Sequence, residues 1–80
     1  MVLVLGADAG VVTGVLGRVG DEDVVVLDES ADRLELLLEG LADPRLWFMI
    51  GDAEVIPLPD ASVDAVLGAP ESPEVDRVTR

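Results

Sequence analysis

The chain has no cysteine, histidine, lysine or tyrosine among its 80 residues, and these absences exclude several kinds of chemistry. Without cysteine or histidine there is no thiolate or imidazole for a zinc site or a nucleophilic dyad. The serines therefore have no imidazole partner, which argues against hydrolysis through an activated serine. Carboxylates are the remaining groups that could act as general bases. A chain without cysteine has no disulfide framework, which favours a cytoplasmic location.

Positive charge is also scarce. The chain has 17 acidic side chains and five basic ones, all arginine, so its net charge is −12. Because nucleic acids and anionic lipid surfaces attract basic proteins, we predict neither nucleic acid nor membrane as a partner. The adjacent acids at 21–23 lack the spacing and the glycine of a calcium loop, so we predict no metal site. No apolar run reaches the ~18 residues of a membrane span, and no targeting segment is evident.

Apolar residues make up 50% of the chain, and the mean hydropathy is +0.46. A chain of 80 residues forms one domain and buries only about 60% of its unfolded surface. We therefore treat residues 1–80 as a single domain with a small core.

The first segment predicts a buried strand followed by a glycine turn and a helix. The aliphatic run Val2–Leu5 is typical of a parallel strand that is covered on both faces. It stops at Gly6, and helical spacing of apolar residues predicts a helix over 11–19. Such an opening is typical of nucleotide and phosphate sites. We interpret Gly6 and Gly10 as positions of close ligand approach, and Gly14 and Gly17 as helix-on-strand packing.

A second aliphatic run over 24–27 ends at Asp28, roughly twenty residues after the turn, where Rossmann-type folds place an acid against a ribose hydroxyl. The alternative is that Asp28 is a turn residue or a cap for the next helix. Glu29 follows it directly and is included in the predicted site. Ser30 is a favourable N-cap for a helix that ends near Gly40, with an apolar stripe formed by Leu34, Leu37, Leu38 and Leu41.

The rest of the chain predicts two further strands. Residues 46–50 form the third strand, in which we expect Trp47 to be a core residue. Pro57 and Pro59 then disfavour a regular helix, so a loop leads to a fourth strand over 63–67 that ends at 68–70. Residues 71–80 form either a short helical turn or a loose tail.

Residues 51–66 carry the most specific signal, because they read GDAEVIPLPDASVDAV. With the glycine turn and the strand that ends at Asp28, this segment resembles the class I (Rossmann-like) S-adenosylmethionine-dependent methyltransferases, in a type 11-like form. The three motifs together span residues 2–68 and resemble only the N-terminal half of that family's domain. The resemblance implies an α/β fold and S-adenosylmethionine as the cofactor.

The resemblance also implies roles for individual residues. Asp52 and Ala53 would lie against the adenine, although Asp52 could equally be a turn residue. Asp8 stands where the family has its middle glycine, and Val4 stands where it commonly has an acid that holds the donor's amino group. Either Asp8 replaces that acid or donor binding is weakened. No catalytic residue is assigned, because catalysis in this family is largely positional.

Right-handed crossovers predict half of a Rossmann-like sheet, mostly parallel, with strand order 3-2-1-4 and two main helices on one face. The proline-containing connection offers little to cover the other face, although all the strands are apolar on both sides. We therefore expect a homo-oligomer that buries the uncovered face, the edge of the fourth strand, or both.

Two functions remain open. The first is an S-adenosylmethionine-binding, methyltransferase-like protein, acting on a small-molecule acceptor if an oligomer or partner completes the pocket. The second is a non-catalytic structural or self-association module derived from a methyltransferase half-domain. The glycines at 6, 10 and 14 also allow a nicotinamide-dinucleotide fragment, but the chain lacks the tyrosine and lysine expected of that catalytic pair.

Overall fold

A computed structural model describes residues 1–68 and 72–80. Ala69 and Pro70, which we expected to end the fourth strand, and Glu71 lie outside the described residues. The elements in chain order are β1 (Val2–Leu5), α1 (Ala9–Leu16), β2 (Val24–Asp28), α2 (Ala31–Gly40), β3 (Leu46–Ile50), β4 (Ala65–Leu67) and α3 (Pro73–Val78). Of the helices among these residues, none has the length and apolar character that a membrane crossing requires.

The strands form one parallel sheet in the order β3-β2-β1-β4, which confirms the predicted fold class and strand order. Val2 pairs with Val24 and with Ala65, so β1 lies at the centre of the sheet. The β2–β3 register runs to the pair Asp28 and Ile50. Because all the strands point the same way, their carboxyl ends meet at one edge.

The two longer helices cover one face of the sheet, as predicted. Their apolar side chains pack on alternate residues of the central strands and form one core cluster: Val2, Val4, Val12, Val15, Leu16, Val24, Val26, Leu34, Leu37 and Leu46. Ser30 caps α2 by accepting a hydrogen bond from the Arg33 backbone N–H. The helix bounds predicted from the sequence were nearly right for α2, whereas α1 begins and ends earlier than the predicted 11–19.

The opposite face is not bare, and the expectation of an uncovered sheet face was wrong. Ile56 in the proline-containing segment, Val63 just before β4 and Val78 in α3 pack on it and are almost fully buried. Arg77 holds this layer together, because its guanidinium donates to the backbone carbonyls of Ile56 and Leu58 and pairs with Glu74. Residues 71–80, which we expected to form a short helical turn or a loose tail, thus contain the helix α3. This helix completes the apolar cluster on the sheet face opposite α1 and α2.

Three local expectations also differ from the structure. Trp47 is 59% exposed rather than buried, because it lies on the edge strand β3. Leu38 is 54% exposed, so the α2 stripe is narrower than predicted. The β4 strand begins at Ala65 instead of residue 63, because Val63 pairs with Thr79 beyond the sheet.

Gly14 does not pack closely on the sheet. A Cβ atom built on Gly14 would meet nothing within 4 Å, so the helix-on-strand interpretation of this glycine was wrong. Gly17 forms the C-cap of α1, and its backbone N–H donates to the Thr13 carbonyl.

Candidate functional site

A cleft of about 310 Å³ opens at the carboxyl edge of the sheet. It lies between the ends of the central strands, where open parallel sheets bind ligands at the point at which the strand order reverses. Its lining residues come from three strand ends, α2 and the segment after β3: Leu5, Gly6, Leu27, Asp28, Glu29, Arg33, Gly51, Ala53 and Gly68. The cleft therefore contains four of the predicted site residues, namely Gly6, Asp28, Glu29 and Ala53.

Gly6 turns the chain out of β1 with a φ of +103°, a conformation that favours glycine. Its backbone N–H donates to the Leu27 carbonyl at 2.8 Å, which ties the turn to β2. A Cβ atom at this position would meet no atom within 4 Å. The backbone at Gly6 is therefore fixed by the protein and open toward the cleft.

Asp28 is the buried polar residue of the cleft, with its side chain 5% exposed. One carboxylate oxygen, Oδ2, accepts a hydrogen bond from the Ala7 backbone N–H at 2.8 Å. The other, Oδ1, accepts from the Ser30 backbone N–H at 2.8 Å and lies 3.0 Å from Nη2 of Arg33. Asp28 thus connects the turn after β1 to the beginning of α2.

These contacts keep Asp28 ionised. Burial alone would raise the pKa of this carboxyl, but the N–H groups of Ser30 and Ala7, together with the Arg33 guanidinium, hold the pKa below its ordinary value. An ionised carboxylate has about four acceptor positions, and each oxygen of Asp28 accepts one hydrogen bond here. Because Oδ1 is also in ion-pair contact with Arg33, the second position on Oδ2 is the one left open.

Two charged side chains lie at the rim of the cleft beside Asp28. Glu29 is exposed and makes no hydrogen bond or ion pair through its side chain within residues 1–68 and 72–80. Arg33 has its side chain 63% exposed, so its pairing with Asp28 is accessible to solvent. The rim therefore offers one unpaired carboxylate and one guanidinium that is largely exposed.

The opposite wall of the cleft is a tight turn after β3. Asp52 accepts a hydrogen bond at Oδ1 from the Glu54 backbone N–H at 2.8 Å, and the Val55 N–H donates to the Asp52 carbonyl. The Ala53 backbone N–H donates to no group in the described part of the chain. Ala53 lines the cleft, whereas the Asp52 side chain shapes the turn and is not among the lining residues.

Asp8 and Gly10 lie outside the cleft lining. Asp8 is the N-cap of α1 and accepts a hydrogen bond from the Val11 backbone N–H at 3.1 Å. A Cβ atom on Gly10 would lie 3.3 Å from Oδ1 of Asp8, so Gly10 leaves room for this cap. The carboxylate in place of the family's middle glycine thus has a local structural role.

Five lining residues were missed by the sequence analysis, namely the strand-end core residues Leu5 and Leu27 and the residues Arg33, Gly51 and Gly68. Arg33 gave no signal, because an arginine in the first turn of a helix is ordinary. Gly51 leaves room for Leu27, whose Cδ1 would be 3.1 Å from an added Cβ. Gly68 has a φ of +88°, and an added Cβ would lie 2.5 Å from the Leu5 carbonyl oxygen. The glycine that directly follows β4 was the available hint for Gly68.

A larger groove of about 400 Å³ lies between α1 and β4. Its lining is apolar apart from Arg18 and contains none of the predicted site residues. Ligand sites combine apolar walls with a few convergent polar groups, and those groups converge in the smaller cleft. We therefore assign the candidate ligand site to the cleft at the carboxyl edge.

In a comparison with protein families, a family model described as a methyltransferase domain matches residues 3–69. No curated protein and no solved structure matches the chain. The matched span contains all seven predicted site residues, from Gly6 to Ala53, and the described residues of the cleft.

Proposed function

The chain belongs to the methyltransferase-domain family, and from this premise we propose that it binds S-adenosylmethionine in the cleft at the carboxyl edge of the sheet. When bound, this cofactor supplies a methyl group on a sulfonium centre. The cleft volume of about 310 Å³ lies at the lower end of the range for small-molecule sites. It suits the nucleoside part of the cofactor, with the rest of the ligand at the open rim.

The observation that carries this proposal is the acceptor position left on Asp28 Oδ2. A ribose hydroxyl can donate to it without displacing the Ala7 or Ser30 N–H groups. If Arg33 moves away, Oδ1 also becomes available to a second hydroxyl. Glu29 offers an unpaired carboxylate beside it. The two hydroxyl groups of a ribose cis-diol donate two hydrogen bonds, and the carboxylates of Asp28 and Glu29 supply the acceptors for them.

The turn after β3 supports the placement of the adenine. The Ala53 backbone N–H has no acceptor within residues 1–68 and 72–80, so it can donate to a ring nitrogen. Asp52 does not line the cleft itself, but its Oδ1 is engaged with the Glu54 N–H, so Oδ2 is left to accept from an exocyclic amino group that extends past Ala53. Gly6, which is open toward the cleft, lets the ligand lie against the backbone of the first turn.

The methionine end of the cofactor would lie toward the first turn of α1. We place Asp8 and Gly10 there as secondary contacts, with the negative charge of Asp8 opposite the ammonium or the sulfonium. Asp8 keeps acceptor capacity beyond its bond to the Val11 N–H.

Methyl transfer, if it occurs, would take place by positioning, because the cleft contains no general base other than carboxylates. The acceptor would be a small molecule bound at the open rim, with a second chain supplying the missing wall. We propose a cytoplasmic location from the lack of cysteine.

Isothermal titration calorimetry with S-adenosylhomocysteine tests the proposal. We expect saturable heat for the native chain and about five- to tenfold weaker binding for Glu29→Gln, because one hydrogen bond to a charged acceptor is weakened. Glu39→Gln, at the far end of α2, is the matched control and should bind like the native chain. Absence of heat up to millimolar ligand from folded protein would contradict the proposal.

The second candidate function is a non-catalytic structural module. It is favoured by the fact that Asp28 and Asp8 each have an internal structural role, one joining two elements and the other capping α1. Under this alternative, Glu29→Gln and the native chain behave identically in every ligand titration, and Asp28 variants change stability alone.

A further inference from the structure

Both edges of the sheet carry an apolar groove on the face that α1 and α2 cover. The first groove, about 400 Å³, lies between α1 and the edge strand β4. The second, about 210 Å³, lies between α2 and the edge strand β3. We call them the β4 groove and the β3 groove. Neither shares a lining residue with the cleft, so the grooves are separate from the proposed ligand site.

The β4 groove is walled by small and medium apolar side chains. Val11 and Leu67 are its exposed large members, and Gly14 presents only backbone on the outer side of α1. Residues 78–80 pair with Val63, so among residues 1–68 and 72–80 the part of this edge without a pairing strand is Ala65–Leu67 itself. An open strand edge beside an apolar groove is a template for a further strand.

The β3 groove presents larger side chains. Leu38 and Ile50 line it and are 54% and 63% exposed. β3 has five residues and pairs on one side, with β2. The outer edge of β3 and the side chains beside it are therefore available to a second surface.

Each groove has one charged residue in its lining, and the two charges are opposite. Arg18 lies in the β4 groove and Glu35 in the β3 groove. Neither side chain forms an ion pair or a hydrogen bond within residues 1–68 and 72–80. The other four arginines of this strongly acidic chain each lie within ion-pair distance of a carboxylate. Arg18 is therefore the exception, and its natural complement is an acidic side chain on another surface.

We propose that the β4 groove of one molecule binds the β3 groove of a second copy. β4 of the first copy and β3 of the second would lie side by side and parallel, which continues the sheet with the helices of both copies on the same face. Val11 and Leu67 would then contact Leu38 and Ile50 of the second copy. Arg18 would face Glu35 across the junction.

The charges favour this head-to-tail arrangement over symmetric pairing. A junction of two β4 grooves would contain two copies of Arg18 and no lining carboxylate, and a junction of two β3 grooves would contain two copies of Glu35 and no lining guanidinium. Like charges placed together at an interface oppose association, whereas unlike charges fix its register. A head-to-tail interface does not close at two copies, so it leads to a ring or an open filament.

Charge reversal with sedimentation velocity tests the proposal. Arg18→Glu and Glu35→Arg should each weaken self-association about tenfold or more, because each places like charges across the junction. The two substitutions move the net charge in opposite directions, so a shared loss cannot come from overall repulsion. An equimolar mixture of the two variants should assemble again, because every junction in an alternating chain then pairs Glu with Arg. Restoration on mixing also demonstrates that both variants are folded.

Asp76→Arg, on the exposed side of α3, is the matched control and should assemble like the native chain. The proposal is overturned if the native chain stays monomeric at millimolar concentration. It is also overturned if assembly stops at a dimer, or if mixing the two variants restores nothing.

Discussion

Replacing Asp28 by Asn is the most informative single change, because it removes a buried charge while keeping the shape of the side chain. The native carboxylate accepts hydrogen bonds from the Ala7 and Ser30 N–H groups through different oxygens. Asn has one acceptor oxygen and one NH₂ group, so one of these N–H donors must face another donor. The substitution therefore leaves a partly buried backbone N–H without a partner.

The structure sets the size of the effect. An unsatisfied buried donor costs about 1–3 kcal/mol, and the remaining bond is weaker once its acceptor is uncharged. Arg33 adds little, because a pair with a largely exposed partner contributes about 0–1 kcal/mol. We expect Asp28→Asn to lower the free energy of unfolding by about 2–3 kcal/mol. Urea unfolding followed by far-UV circular dichroism at pH 7 measures this loss.

The loss should depend on pH. Because the pKa of Asp28 is lower in the folded state, its stabilising contribution is complete above the ordinary value of 3.8. It disappears as pH falls below that value and through the pKa of the folded state. The difference in stability between the native chain and Asp28→Asn should therefore shrink progressively below about pH 4.

Asp76→Asn, on the exposed side of α3, is the control and should change stability by less than about 0.5 kcal/mol. The reasoning is refuted if Asp28→Asn is as stable as the native chain at pH 7. It is equally refuted if the difference is unchanged between pH 7 and the acid limit of folding.

Three further substitutions test the packing by urea unfolding. Gly14→Ala should stabilise the chain by about 0.5–1 kcal/mol, because the new methyl group meets no atom and an α-helix favours alanine. A loss of stability would mean that α1 packs more tightly at this position. Val78→Ala should lower the free energy of unfolding by about 2 kcal/mol, because it opens a cavity beneath α3. Val55→Ala, at an exposed position, should be nearly neutral, and equal effects of the two substitutions would mean that α3 does not pack on the sheet. Gly68→Ala should cost more than about 2 kcal/mol, because its Cβ would collide with the Leu5 carbonyl at a positive φ, and a neutral result would contradict the described turn.

The sheet was predictable because its strands are short aliphatic runs bounded by glycine and acids. Val2–Leu5 and Val24–Asp28 have no competing helical pattern, and right-handed crossovers favour the strand order 3-2-1-4. Ser30 marked the beginning of α2 through local capping chemistry. These are signals that act over a few residues.

The second layer of the fold was not predictable in the same way. Ile56 and Val78 lie far apart in sequence and belong to one apolar cluster, next to the hydrogen bonds that Arg77 donates to carbonyl groups of the proline-containing segment. The helix α3 has six residues, which is too short for a periodic pattern that would predict this contact. Trp47 was misplaced because its apolar character does not tell whether a strand lies at the centre or the edge of a sheet.

For the candidate site, the sequence predicted the residues at the strand ends but not their partners. Gly6 and Asp28 follow apolar strands and lie in one cleft. Arg33 was missed, because its pairing with Asp28 depends on how α2 leaves the sheet. Asp8 was predicted as a ligand contact, and its additional role as the N-cap of α1 was not predicted.

The most direct test of nucleoside binding at the carboxyl edge is a two-dimensional ¹H–¹⁵N spectrum of the native chain during titration with S-adenosylhomocysteine. We predict saturable shifts that cluster at the amides of Gly6, Ala7, Glu29 and Ala53, with α3 unchanged. Ala53 should shift most, because its N–H gains an acceptor. Unchanged spectra at millimolar ligand, or shifts confined to the β4 groove, would contradict nucleoside binding in the cleft.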